Sequence, residues 1–69
     1  MKEIRLNKQL YILEDIDETI KAFSDIGKFS FSEQDHYYLC CLKSSIYDDE
    51  ETINEFENYL IDLSNKKHF

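Results

Sequence analysis

Three short segments of the chain carry the pattern of β-strands. Glu3–Asn7 and Lys28–Glu33 alternate apolar and polar residues, so each predicts a strand with one buried face. Tyr37–Lys43 is apolar on both faces, which is typical of a strand in the middle of a sheet. The polar tetrad Glu33–His36 is long enough for a hairpin loop between the second and third strands.

Two longer segments carry the pattern of amphipathic helices, and the first is Leu13–Ile26. Its apolar residues recur at helical spacing, and acidic residues crowd its first turns, where the helix dipole favours negative charge. Asp15 and Glu18 have the spacing of a capping box. Gly27 is the single glycine, and its position predicts a left-handed residue that ends this helix.

The second helix is predicted over Asp48–Asn65. Asp48 or Asp49 supplies the N-cap, and the opposite face of the helix is acidic. Tyr59 lies beside the apolar stripe and is expected in the core. The stripe itself is Ile53, Phe56, Leu60 and Leu63.

The order of these elements predicts a two-layer α+β fold of β-α-β-β-α type. One domain, residues 1–69, accounts for the whole chain. Two helices with apolar stripes must cover one face of a three-stranded sheet, with the third strand between the first and the second. The other face of the sheet and at least one edge are then left for another chain, and the edge we favour is Lys28–Glu33.

Composition narrows the class of partner. The net charge is −7, and the stretch from residue 31 to residue 65 has a single base, Lys43. So acidic a chain is unsuited to the phosphate backbone of nucleic acid. No apolar run is long enough to span a membrane or resembles a signal peptide, so we expect a cytoplasmic protein. The acidic residues of that stretch are Glu33, Asp35, Asp48, Asp49, Glu50, Glu51, Glu55, Glu57 and Asp62.

Candidate chemistry is sparse. Cys40 and Cys41 are neighbours in a strand, so they point to opposite faces and cannot jointly hold a metal ion. We expect two free thiols. His36 and His68 have no partners arranged as in a nucleophilic triad. The sequence therefore predicts no catalytic residue, no metal, no cofactor and no enzymatic activity.

Candidate contact residues come from the sheet and from the second helix. Phe29 and Phe31 lie on the strand that we favour as a free edge. Either Tyr37 or Tyr38 must face away from the helices, and an exposed tyrosine there is a candidate contact. Glu51 and Glu55, four residues apart, form either a solvated face or a docking surface for a basic partner. Asn58 is a further candidate contact, because it matches a residue of a known family motif.

Several stretches resemble the small HxsD-type proteins of the His-Xaa-Ser systems. Those proteins occur beside radical S-adenosylmethionine enzymes and a peptide assigned to them as substrate. Asn58 matches the Asn of the late family motif Leu-Leu-Asn-Asp-Tyr-x-Leu-Arg-Glu, whereas Tyr59 replaces its Asp and the closing Arg-Glu is absent. The matching stretches are Leu10–Tyr11, Glu14–Ile16, Thr19–Phe23 and Glu55–Asp62, with a Phe-rich strand between the last two.

The resemblance implies a non-enzymatic accessory protein that binds a precursor peptide and presents it to a radical S-adenosylmethionine enzyme. From the residues alone two other functions stay open. One is an acidic inhibitor, or nucleic-acid mimic, that binds a basic protein surface. The other is a structural subunit of a homo-oligomer, since so short a chain buries a small core.

Overall fold

The computed structural model describes residues 2–68, including the side chains of residues 2–66, and it confirms the predicted β-α-β-β-α order. The fold is the predicted two-layer α+β arrangement, with a three-stranded sheet on one side and two helices on the other. The elements are β1 (Lys2–Asn7), α1 (Leu13–Ala22), β2 (Gly27–Glu33), β3 (Tyr37–Ser45) and α2 (Asp49–His68).

The strand β3 lies in the middle of the sheet, as its two apolar faces predicted. It pairs antiparallel with β1, where Ile4 lies opposite Cys40, and with β2, where Phe31 lies opposite the same Cys40. A register shift between Lys28 and Phe29 interrupts the second ladder. The strands β1 and β2 are therefore the two edges of the sheet.

Both helices cover the same face of the sheet, and the hydrophobic core lies between the two layers. Leu6 of β1 and Cys40 of β3 pack beneath Ile16 of α1 and beneath Phe56 and Leu60 of α2. All five side chains are buried. Burying one large apolar side chain stabilises a fold by roughly 1.5–3 kcal/mol, so these few residues carry much of the stability of a chain this short.

The predicted capping box of α1 is wrong. The helix begins at Leu13, and Ile12 occupies the N-cap position without a side-chain hydrogen bond. Asp15 is fully buried where α1 meets α2, and Ser64 Oγ donates a hydrogen bond to Asp15 Oδ2 over 3.4 Å. A buried carboxylate needs polar partners, and this partner comes from the other helix, which the local sequence pattern does not show.

Gly27 is not a left-handed cap. The helix α1 ends at Ala22, no glycine of the described chain has a positive φ, and Gly27 is the first residue of β2. A Cβ atom at this position would lie 3.0 Å from the Ser44 carbonyl oxygen and 3.1 Å from a methyl group of Leu42. The glycine is therefore required because β2 approaches β3 closely at its start, near the register shift.

The start of α2 agrees with the prediction. The Glu51 N–H donates to Asp48 Oδ2 over 3.2 Å, so Asp48 caps the helix. Ser45 Oγ donates to Asp49 Oδ1 over 3.0 Å and ties the end of β3 to the first turn of α2. Tyr59 differs from its prediction, because it is 41% exposed, although its ring meets that of the buried Phe23 edge-on.

Candidate functional site

The face of the sheet away from the helices is mixed rather than apolar. Tyr37 points to this face, and the guanidinium carbon of Arg5 lies 5.4 Å from the centre of its ring. Leu39 and Cys41, on the same face, are half-buried between Arg5 and Glu3 of β1 and the serines of β2. The face therefore offers a small apolar centre with a charged border.

Tyr38 faces the helices and joins the margin of the core instead. It lies opposite the buried Leu6 in the β1–β3 ladder and packs against the core cluster. The ring of Phe31 meets it edge-on at 6.5 Å, and the Lys8 Nζ atom lies 5.2 Å from its centre. Of the two tyrosines, Tyr37 is thus the one that can contact a partner on the uncovered face.

Phe29 and Phe31 share one face of β2 but occupy different environments. The ring of Phe29 stacks on Phe56 with 4.1 Å between ring centres, and it meets Phe23 edge-on at 6.3 Å. Phe29 is therefore part of the core. Phe31 is 38% exposed, which leaves it accessible at the outer edge of the sheet.

The two acidic residues predicted as contacts on α2, Glu51 and Glu55, are exposed. Glu51 and Glu55 border a cavity of about 130 Å³, and Phe23, Ile26 and Tyr47 line its apolar part. Neither carboxylate forms an ion pair within the described chain. Asn58 is also exposed, further along the helix. Ion pairs elsewhere in the described residues include Lys2–Glu50 (4.0 Å), Lys8–Glu33 (2.7 Å) and Lys21–Asp17 (3.0 Å).

The adjacent cysteines lie on opposite faces, as predicted. Cys40 is buried beneath the helices, and burial raises the pKa of its thiol to about 12. Cys41 lies on the uncovered face, where its Sγ donates to Glu3 Oε2 over 3.7 Å. Desolvation raises the pKa of Cys41, and the charge and hydrogen bond of Glu3 raise it further. Both thiols are free, and a raised pKa makes a thiol a poor nucleophile at neutral pH.

A groove runs along the edge of β1, and sequence reasoning did not predict it. Its volume is about 540 Å³, compared with about 130 Å³ for the cavity between Glu51 and Glu55. One wall is the strand from Glu3 to Leu6, and the other wall is Tyr11 together with Glu57 of α2. The alternation of β1 indicated a strand, but only the position of α2 turns its edge into a groove.

The backbone of β1 offers hydrogen-bonding groups to this groove. The Lys8 N–H donates to the His36 carbonyl over 3.2 Å, in the register of the β1–β3 ladder. Hydrogen-bonded and non-hydrogen-bonded pairs alternate in an antiparallel ladder. Glu3 and Arg5 therefore point their N–H and C=O groups away from β3, and no other strand of the described chain takes them.

The possible metal ligands, the histidines and the helices of residues 2–68 complete the description of the site. No group of three or more His, Cys, Asp or Glu residues is arranged to hold a metal ion in this part of the chain. His36 is exposed in the hairpin loop, and the side chain of His68 lies outside the described residues. None of the helices described combines the length and the apolar character needed to cross a bilayer.

Comparison with known proteins gives no relative of this chain. No family model matches it, and neither the curated proteins nor the solved structures contain a match. The resemblance to HxsD-type proteins therefore stays a prediction.

Proposed function

We propose that this protein is a non-enzymatic accessory protein that captures an extended peptide segment in the groove along β1. The observation that carries the proposal is the groove itself, in which an unpaired strand edge faces a helix. An extended peptide that adds to a sheet edge gains affinity from main-chain hydrogen bonds. Pockets for its alternate side chains then supply specificity.

The two walls of the groove define what such a peptide must offer. Its backbone would bond to the outward groups of Glu3 and Arg5. Ile4 and the half-buried Tyr11 give an apolar surface for every second side chain. Glu57 adds a carboxylate that has no ion-pair partner in the described structure. The favoured peptide therefore alternates apolar residues with a lysine or an arginine.

The sequence pattern favoured β2 as the peptide-binding edge, and the groove supports β1 instead. The presentation of the captured peptide to a radical S-adenosylmethionine enzyme in the cytoplasm rests on the resemblance to HxsD-type proteins alone. The stretches that carry this resemblance are Leu10–Tyr11, Glu14–Ile16, Thr19–Phe23 and Glu55–Asp62, with the Phe-rich strand between the last two. It is a hypothesis about the pathway, separate from the hypothesis about the groove. Copurification of the chain with such an enzyme and a precursor peptide encoded beside it would support the pathway.

The groove is tested by selecting short random peptides on the immobilised protein and mapping the best binder by amide chemical shifts. We expect the largest shifts at Glu3 to Leu6. Arg5→Pro should weaken binding about five- to tenfold, because it removes one outward hydrogen-bond donor and leaves the β1–β3 ladder intact. Arg5→Ala, the matched control, keeps the donor and should retain most of the affinity. Shifts confined to β2 or to the uncovered face would contradict the proposal.

A second function is favoured by the cavity between Glu51 and Glu55. An apolar floor with two carboxylates at its rim suits the aliphatic stem and the charged end of a lysine or arginine on a basic partner protein. In this case the protein would act as an acidic inhibitor of that partner. Binding of a lysine-rich peptide that is weakened by Glu51→Gln and Glu55→Gln, but not by Arg5→Pro, would favour this second function over the first.

A further inference from the structure

The outer edge of β2 exposes backbone groups at three residues that are spaced two apart. The Gln34 N–H donates to the Tyr37 carbonyl over 2.9 Å and closes the hairpin between β2 and β3. Hydrogen-bonded and non-hydrogen-bonded pairs alternate along an antiparallel ladder. Since Gln34 and Tyr37 form a hydrogen-bonded pair, Phe29, Phe31 and Glu33 occupy the non-hydrogen-bonded positions against β3. Their N–H and C=O groups point away from β3, and no second strand of the described chain pairs with them.

We infer that a second copy of this chain pairs with β2 in antiparallel orientation, with the two-fold axis at Phe31. The three outward residues are symmetric about Phe31. Antiparallel pairing therefore sets Phe31 of one copy opposite Phe31 of the other, and Phe29 of each copy opposite Glu33 of the other. Every outward N–H and C=O of the edge then has a partner. The two sheets join into one sheet of six strands with an isologous interface.

The side chain at the axis fits this interface. Phe31 is 38% exposed although it lies on the helix-covered face, and its ring meets that of Tyr38 edge-on. Side chains directly opposite each other in an antiparallel pair have Cβ atoms roughly 4.5–5.5 Å apart. The two Phe31 rings would therefore cover each other, while Phe29 remains stacked in the core of its own copy.

The charges of β2 also favour antiparallel self-pairing. Lys28 lies near one end of the strand, Glu33 lies at the other end, and the residues between them are uncharged. Antiparallel pairing brings the Lys28 end of each copy towards the Glu33 end of the other. Because Glu33 already pairs with Lys8 of its own copy over 2.7 Å, this edge carries no excess negative charge in a chain whose net charge is −7, which removes the main electrostatic obstacle at the point of contact.

The edge of β1 lacks these properties. Its outward residues Glu3, Arg5 and Asn7 are symmetric about Arg5, so self-pairing would set two guanidinium groups directly opposite each other, which is destabilising. The Asn7 carbonyl already accepts hydrogen bonds from the N–H groups of Leu10 and Tyr11. Charged side chains on an edge strand are a common protection against self-association. The second copy is therefore expected on β2 and not on β1.

Sedimentation equilibrium of the full chain from about 10 µM to about 1 mM tests the inference. The wild type should form dimers, and Phe31→Pro should weaken the dimer at least about tenfold, because it removes the central donor and the ring. Phe31→Lys should weaken it similarly, since it sets like charges opposite each other. Arg5→Pro makes the same backbone change on the other edge and should leave the dimer unchanged, although it impairs peptide capture.

Amide hydrogen exchange on the wild type gives a second readout that needs no variant. The Phe31 amide should exchange more slowly as the protein concentration rises, whereas the Arg5 amide should not respond. A chain that is monomeric at about 1 mM, a dimer that Arg5→Pro weakens as much as Phe31→Pro, or a Phe31 amide insensitive to concentration would each overturn the inference. Circular dichroism of each variant checks that the monomer is folded.

Discussion

Among single residues, the adjacent thiols Cys40 and Cys41 show how one step along a strand changes the burial of a side chain and the groups that set its pKa. Cys40 points into the core, and its pKa of about 12 leaves almost no thiolate at neutral pH. Cys41 is half-buried on the uncovered face, where Glu3 adds a negative charge beside it. Both pKa values are raised, but the pKa of Cys41 depends on a neighbour that can be changed without disturbing the core.

Replacing Glu3 with Gln should speed alkylation of Cys41. The substitution removes a negative charge and a charged hydrogen-bond acceptor that favour the protonated thiol, so the pKa of Cys41 should fall and its thiolate fraction at pH 8 should rise. Iodoacetamide modification followed by mass spectrometry across a pH series measures the effect. Glu57→Gln is the control, because Glu57 belongs to α2, on the helix-covered side of the sheet, whereas Cys41 lies on the uncovered face. An alkylation profile that does not move with Glu3→Gln would show that burial alone sets this pKa.

Phe56 and Tyr59 allow a second comparison within α2. Phe56 is fully buried and its ring meets both Phe23 and Phe29, whereas Tyr59 is 41% exposed and its ring meets Phe23 alone. Phe56→Ala should lower the free energy of unfolding by roughly 3–5 kcal/mol. Tyr59→Ala should lower it by about 1 kcal/mol or less. Urea unfolding measures both values, and equal losses would show that the apolar stripe is misplaced on the helix.

At the scale of elements, α2 depends on a capping residue that lies outside it. Asp48 precedes the helix and accepts a hydrogen bond from the Glu51 N–H, and its carbonyl accepts one from the Thr52 N–H over 3.0 Å. The first-turn residues Asp49 and Glu50 add negative charge at the positive end of the helix dipole. The long helix therefore begins at a well-defined residue.

Removing the Asp48 cap should measurably lower the stability of the protein. Asp48→Ala should lower the free energy of unfolding by about 0.5–2 kcal/mol, because a helix N–H loses its acceptor. Asp48→Asn keeps an acceptor oxygen and should retain most of the stability. Chemical unfolding followed by circular dichroism compares the two variants. If Asp48→Asn were as destabilising as Asp48→Ala, the charge of Asp48 rather than its hydrogen bond would be the important feature.

At the scale of the whole molecule, each edge of the sheet has a different use. The edge of β1 faces a groove with Tyr11 and Glu57, and it is charged at Arg5. The edge of β2 is neutral between its ends and exposes Phe31. A dimer joined through β2 would leave two β1 grooves at the far ends of a single sheet, so self-association and peptide capture would not compete.

Salt should act on the two kinds of association in opposite directions. Each copy carries a net charge of −7, so the two copies repel each other except at the edge. Raising the ionic strength from about 0.01 M to about 0.15 M shortens the Debye length from about 30 Å to about 8 Å, which should strengthen the dimer. Binding of a lysine-rich peptide should weaken over the same range. Sedimentation and titration calorimetry measure the two trends. A dimer that weakens with salt would contradict this prediction and show that attraction between the Lys28 and Glu33 ends outweighs the repulsion between the net charges.

The types of the elements, their order and the layer arrangement could all be predicted from local sequence patterns. Apolar positions repeat every second residue in strands and every three or four residues in helices, and these local periods follow from backbone geometry. They placed β3 in the centre of the sheet, because both of its faces are apolar. They also separated Cys40 from Cys41, and they located the cap of α2 at Asp48 or Asp49.

The packing of the elements against one another sets which surfaces are free, and no local pattern shows it. A period of two shows that Tyr37 and Tyr38 point to opposite faces, but the position of the helices decides that Tyr37 is the uncovered one. Gly27 and Asp15 were misread from local patterns. Gly27 is a glycine because β3 approaches it closely, and the buried Asp15 accepts a hydrogen bond from Ser64. Both contacts join residues that are far apart in the chain. The groove along β1 likewise exists only because α2 passes beside that edge, and no local pattern encodes such a distant neighbour.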